Sequence, residues 1–239
     1  MEYKVSVKIN ENLFLRDPEQ SALGRRIVQE SIQLLNDLGF EEFTFKKLAT
    51  RLHTNESSVY RYFENKHRLL VYLVTWYWRW MDFQLNYFTH SLKDPAEKLN
   101  VAIRLLLLRQ EAPVPQQDYI TFLGLHQLVV KEASKAYLTK HVTEDNKQQL
   151  FKPYKDLCAH IADIIHECSP KYKYSRSLTS TLIEMAHYQA FFMQHLPSLT
   201  DFGDTKNEDE LITFLTDLVY SAIGLKKAAA LAHNGNGAH

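Results

Sequence analysis

Residues 53–66 read HTNESSVYRYFENK. Asn55 and Asn65 are both suited to cap a helix, and between them there is room for about two turns. Val59 and Phe63 are four residues apart, share one face and point inward. Glu56, Ser57, Ser58, Tyr60, Arg61 and Tyr62 are left on the outward arc. A helix with so little apolar face does not stabilise itself. Its neighbours must hold it, and its outward side chains are free for contact.

Those neighbours are legible on both sides. Upstream, DPEQ offers Asp17 as N-cap, Pro18 at the first helical position and Gln20 to close a capping box. A helix then carries Ile27, Val28, Ser31, Ile32, Leu35 and Leu38 at three- and four-residue spacing, and Gly39 ends it. Next, TFKKLATRL has Thr44 as N-cap and an apolar stripe of Phe45, Leu48, Ala49 and Leu52. Downstream, Asn65 caps a long helix predicted from Lys66 to Thr89. Two short helices across a tight turn, followed by a long one, form a helix-turn-helix arrangement.

Charge supports a role for the short helix. The chain has 239 residues and no formal net charge, so no global basicity points to a polyanion. Yet between Thr44 and Arg68 the cations Lys46, Lys47, Arg51, Arg61, Lys66 and Arg68 face only Glu56 and Glu64. An α-helix fits the major groove of B-DNA, and Ser, Tyr and Arg donate to phosphate oxygens.

The stretch from Gly24 to about Trp76 resembles the DNA-binding domain of TetR/AcrR-family transcriptional regulators. The resemblance rests on the helix ending LGF, on T-F-x-x-L-A at 44–49 and on Y-R-Y-F-x-N-K at 60–66. It implies DNA-backbone contacts at Thr44, Tyr60 and Lys66, and base-facing or groove-lining positions at Lys46, Glu56, Ser57, Ser58, Arg61 and Tyr62. Two residues depart from the family pattern. His53 stands in the turn where Gly is usual, and Glu56 is an acid facing DNA. Glu56 either accepts from a cytosine amine or simply favours the helix N-terminus.

The remainder reads as further helices, giving an all-α chain with few glycines and prolines. The expected organisation is an extended N-terminal arm at 1–16, a helix-turn-helix domain at 17–66, a helical effector-binding and dimerisation domain at 67–225, and a tag-like tail at 226–239. In the arm, Tyr3, Val5, Val7 and Ile9 alternate with polar residues; either Lys4 and Lys8 track a phosphate backbone or minor groove, or the arm is partly disordered or packs locally. The long helix carries an aromatic stripe, so Trp76, Trp80 and Phe83, with Phe122, His126, Tyr188 and Phe192 possible opposite partners, are the candidate ligand residues. Core packing would produce the same stripe. The last two helices resemble the pair that dimerises in this family, which nominates Leu182, Met185, Gln189, Leu211, Leu215, Leu218 and Ala222 for the interface.

Other functions lack support. Asp163, His166 and Glu167 share a helix face, but no HExxH or paired Cys-x-x-Cys accompanies them, so no metal and no cofactor is expected. No nucleophile–base motif or Gly-rich phosphate loop is present, and an enzyme is not expected. Cys158 and Cys168, ten apart on one helix, are more than about 10 Å from one another, too far to bridge. Without a secretory or membrane-spanning segment, a cytoplasmic protein is expected. The sequence thus describes a homodimeric regulator of double-stranded DNA, a repressor released from a pseudo-palindromic operator by a small apolar or aromatic ligand. The alternative is a regulator of the same fold controlled by a protein partner.

Overall fold

The computed structural model describes residues 9–107 and 120–225. Among them are α-helices and three short 3-10 turns, and no strand. The helices are α1 (Ala22–Glu42), α2 (Phe45–Arg51), α3 (Glu56–Tyr60), α4 (Lys66–Thr89), α5 (Pro95–Leu106), α6 (Phe122–Glu132), α7 (Ser134–Tyr137), α8 (Val142–Lys147), α9 (Lys152–Cys168), α10 (Ser175–His195) and α11 (Glu208–Ile223). No helix of the described residues is long and apolar enough to cross a membrane. The chain divides into two compact units, Met1–Phe88 with Gln110–Leu157, and Thr89–Arg109 with Cys158–His239.

In the first unit, α1 to α3 and the start of α4 close around Ile27, Val28, Leu35, Leu48, Val59 and Phe63, all buried. The start of α1 differs from expectation. Asp17 caps only a 3-10 turn at Pro18–Gln20, and Ser21 caps α1 by accepting from the Gly24 amide. Gly24 is pressed against Pro18, where a Cβ would lie 2.3 Å from the Pro18 carbonyl oxygen, so the chain turns sharply there. Gly39 breaks α1 with φ 76°, as its position in LGF predicts.

The described part of the segment before α1, from residue 9, packs locally. Glu11–Leu13 forms a 3-10 turn, Leu13 is buried, and the Leu15 amide donates to the Tyr62 carbonyl at 2.8 Å. The expectations for Tyr3, Lys4, Val5, Val7 and Lys8, like those for the tail at 226–239, lie outside the described residues.

Farther along this unit, α4 packs its aromatic side against α6 to α9. Trp78 stacks on Tyr154 and donates to the Tyr137 hydroxyl at 2.6 Å. Helix α6 lies on α1, where the Asn36 side-chain amide donates to the Gly124 carbonyl at 2.8 Å.

The second unit is built from α5, the end of α9, α10 and α11. Leu99, Ile103 and Leu106 of α5 join Ile161 and Ile165 of α9 in its core. Tyr220 on α11 donates to Asn100 on α5 at 3.1 Å. Asn207 caps α11 by accepting from the Asp209 amide, and its side-chain amide donates to Glu210 at 3.2 Å. Three expected interface residues are corrected here. Leu182, Leu211 and Leu215 are buried within this unit. Helix α11 is apolar around more than one face, so spacing alone does not say which arc its own core takes. Met185, Gln189 and Leu218 remain half-exposed, and Ala222, Tyr188 and Phe214 are exposed.

Candidate nucleic-acid interface

Helix α3 is five residues long, and its geometry follows from its caps. The Asn55 side-chain oxygen accepts from the Ser58 amide at 2.9 Å and from the hydroxyls of Ser57 and Ser58 at 2.7 Å each. Both hydroxyl protons are thereby engaged, and the two oxygens remain available as acceptors. Val59 is fully buried, Ser57, Tyr60 and Arg61 are exposed, and Glu56 and Ser58 are half-exposed. The Tyr60 ring stands edge-on to Phe45 at 4.9 Å, which fixes its direction from α2. The residue is 46% exposed. Thr44 caps α2 by accepting from the Lys47 amide and is itself exposed, as is Lys46.

The turn between α2 and α3 closes with two backbone hydrogen bonds, Thr54 N–H to Ala49 and His53 N–H to Thr50. This is the double closure of a Schellman motif, which calls for a left-handed residue at its end. His53 supplies it with φ 53°. The turn therefore keeps its geometry without the usual glycine.

Two expected contacts are corrected. Tyr62 lies beyond the end of α3, where the chain has already turned, so the helical spacing no longer places it outward. It is 3% exposed, its hydroxyl is hydrogen-bonded to the Ser21 hydroxyl at 2.8 Å, and Arg16 sits over its ring at 5.5 Å. Tyr62 thus joins the end of α3 to the start of α1. Lys66 is turned the other way. Its ammonium donates to the carbonyls of Phe40, Glu41 and Phe43 at 2.9, 3.0 and 3.2 Å, groups left over by the break at Gly39. All three of its donors are engaged.

The local cationic excess shrinks in the same way. Arg51 is bracketed by Glu30 at 2.7 Å and Asp37 at 3.1 Å, and its pKa rises further through hydrogen bonds to Asp37 and then Glu30. Lys47 pairs with Glu42 at 3.2 Å, and Arg68 pairs with Asp145 at 3.1 Å. That leaves Lys46 and Arg61 as the cations of this stretch without an acidic or carbonyl partner among the described residues. Exposed Arg16, above Tyr62, adds a cation that no motif marks.

This geometry, a short capped probe on a three-helix base, is matched by comparison with known proteins. The model of bacterial regulatory proteins of the tetR family matches residues 27–73. Residues 27–73 thus resemble the domain that this model describes. That model describes regulatory proteins. Similar folds include AibR, solved in complex with isovaleryl coenzyme A and operator DNA. That likeness has 14% identity and a TM-score of 0.54, and spans 80% of this chain and 98% of AibR. The fatty acid degradation regulator FadR from Bacillus halodurans is similar at 13% identity and TM-score 0.60, over 84% of this chain and 96% of FadR. Identities this low show the fold alone. No curated protein matches the sequence significantly.

The candidate ligand residues fall into two places. Trp76, Trp80, Phe83, Phe122 and His126 gather in the first unit. Trp76 stacks on Trp80 at 5.8 Å, Trp80 on Phe83 at 5.3 Å, and Tyr77 on Phe122 at 5.5 Å. The Tyr77 hydroxyl meets His126 Nδ1 at 2.9 Å. Burial lowers the His126 pKa to about 4 and raises that of Tyr77, so both stay neutral at physiological pH. Tyr188 and Phe192 belong to the second unit and stack on each other at 6.0 Å.

Proposed function

We propose that this tetR-family regulator is a homodimeric repressor that reads a pseudo-palindromic operator with two copies of α3. The observation that carries this reading is the division of the head. Val59, Tyr62, Phe63 and Lys66 are tied inward, while Ser57, Tyr60 and Arg61, with Thr44 and Lys46, are exposed. Tyr60, Thr44 and Arg16 would contact the backbone, and Lys46, Arg61 and Glu56 would face the groove. The accessible, mostly apolar residues of α10 and α11, Met185, Tyr188, Phe214, Leu218 and Ala222, suit a partner subunit of the same sequence. Pairing would set two readers about 34 Å apart, one turn of B-DNA.

Release by a small apolar ligand is the regulatory half of the proposal. The Trp80 indole N–H is buried and has no acceptor among the described residues. A ligand oxygen arriving there would satisfy a donor that is costly to leave unpaired. AibR was solved with an acyl-coenzyme A, and FadR is named for fatty acid degradation, so acyl chains are the first ligands to try. One observation favours control by a protein partner instead. The rings of Trp76 and Trp80 already stack on each other and are 3% exposed.

The test is selection of bound duplexes from a random DNA pool, with Tyr60→Ala run in parallel. Enrichment of a pseudo-palindrome by the wild type and its loss in the variant is the expected result. Isovaleryl and longer acyl-coenzyme A esters are then titrated into the selected complex. Release supports the ligand-controlled reading, and stable complexes throughout support the partner-controlled one.

A further inference from the structure

The first turn of α4 is gripped from two sides. Lys66 holds the carbonyls at the end of α1, as described above. The next two residues turn toward α8. Arg68 Nη1 lies 3.1 Å from Asp145 Oδ1, its Nη2 lies 3.4 Å from the Gln148 side-chain oxygen, and His67 Nε2 lies 3.5 Å from Asp145 Oδ2. Asp145 is 4% exposed. A carboxylate so buried needs its partners, because an unpaired charge there is far costlier than the pair.

Asp145 is itself held firmly. Its carbonyl accepts from the Leu150 amide at 3.1 Å, in a turn where Gln149 takes the left-handed conformation at φ 61°. A second route reaches the same turn from the recognition helix. The Tyr62 carbonyl accepts from Leu15, Phe14 meets the Tyr72 ring edge at 6.2 Å, and the Asn10 side chain donates to the Gln148 carbonyl at 2.9 Å. The end of α3 and the start of α4 are thus both anchored to the α8 turn, by an ion pair and by the packed N-terminal segment.

We propose that Asp145 is a positioning residue for DNA binding, acting through Arg68 and His67 to set the direction of α4's first turn and so of α3. The inference rests on the reading of α3 as the DNA probe. Helix α3 is too short to orient itself, and its covalent continuation into α4 makes that first turn its mount. Asp145 never touches DNA in this arrangement. It fixes where the probe points, which makes α8 a lever on operator affinity.

The test uses the full-length chain and Asp145→Asn, with Arg68→Lys as a second variant that keeps the charge but loses the two-pronged contact. Amide hydrogen exchange over 56–68 reads the mount directly and requires no DNA. The expected result is exchange about tenfold faster there, with α11 unchanged. On duplexes selected by the wild type, affinity is expected to fall about tenfold with an unchanged salt slope, because no phosphate contact is lost. A merely structural role would lower the melting temperature and leave the affinity of the folded protein intact. Unchanged exchange at 56–68 in both variants overturns the proposal. So does wild-type affinity in either folded variant. If the wild type enriches no duplex, the DNA reading fails, and the exchange result still decides whether Asp145 holds the mount.

Discussion

Helices α3 and α11 both begin at an asparagine cap and both divide into an inward and an outward side, yet they carry opposite duties. Helix α3 has five residues and one of them, Val59, is buried. Helix α11 has sixteen, and Leu211, Ile212, Leu215, Val219, Tyr220 and Ile223 are buried. The long helix is a structural member because burial scales with the apolar area it covers. The short one is positioned by others, and contacts are its proposed contribution. The outward sides differ accordingly, with Ser57, Tyr60 and Arg61 on α3 and Phe214, Leu218 and Ala222 on α11. Stability and recognition should therefore separate cleanly between the two.

The largest effect is expected from the inward side of α11. Leu215→Ala should cost about 2–5 kcal/mol of unfolding free energy, the usual range for a buried leucine. Chemical denaturation measures it. A loss under about 1 kcal/mol would mean that this face is not core, and that the original assignment of Leu215 to an interface deserves revival.

One residue turn away, Leu218→Glu tests the outward side. The variant should remain folded and shift from dimer to monomer in sedimentation, because a charge on an apolar interface is left without a partner. Operator affinity should fall with it, since one reader binds far less tightly than two. A dimer that survives this change would place the partner contact elsewhere.

For α3 the expectation reverses. Tyr60→Ala and Arg61→Ala should each weaken operator binding about tenfold, the scale of a lost charge-assisted or phosphate hydrogen bond. Arg61→Ala should change the unfolding free energy by less than about 0.5 kcal/mol, and Tyr60→Ala, which gives up its edge-on contact with Phe45, by about 0.5–1.5 kcal/mol. Loss of stability comparable to Leu215→Ala would erase the distinction between probe and member.

How far this division was legible in the sequence follows from what kind of information each part uses. The head is written in local signals. Thr44, Asn55 and Asn65 cap the helices they were expected to cap, and α4 runs from Lys66 to Thr89 as predicted. Caps act over three residues, so a single sequence contains both partners. The destinations of Tyr62, Lys66 and Arg68 were not legible in that way. Ser21, the Phe40 carbonyl and Asp145 are their partners, and each lies 26 or more positions away. The same holds for Leu182, Leu211 and Leu215. Their periodicity shows that they belong to an apolar face, and only packing shows whose core it meets. Arg16 and Asp145 carry no signal at all outside the folded chain.

The smallest expected effect lies in a comparison of two helix ends. Helix α2 ends at His53 with φ 53°, and α11 ends at Gly224 with φ 70°, both closed by the same pair of backbone hydrogen bonds. A side chain in the left-handed region costs about 1 kcal/mol, which glycine avoids. Glycine also loosens the unfolded chain, which offsets roughly 0.4–1 kcal/mol of that gain. His53→Gly should therefore raise stability by less than about 1 kcal/mol, a rise in melting temperature of no more than about 4 °C. What sharpens the comparison is the affinity measured on the same variant. Gly224 closes a helix with nothing within 4 Å of an added Cβ. His53 is exposed at the turn before α3. If operator affinity is unchanged, the histidine is a tolerated substitute for glycine. If affinity falls while stability rises, the imidazole contributes a DNA contact that outweighs its strain, and the turn belongs to the reading surface.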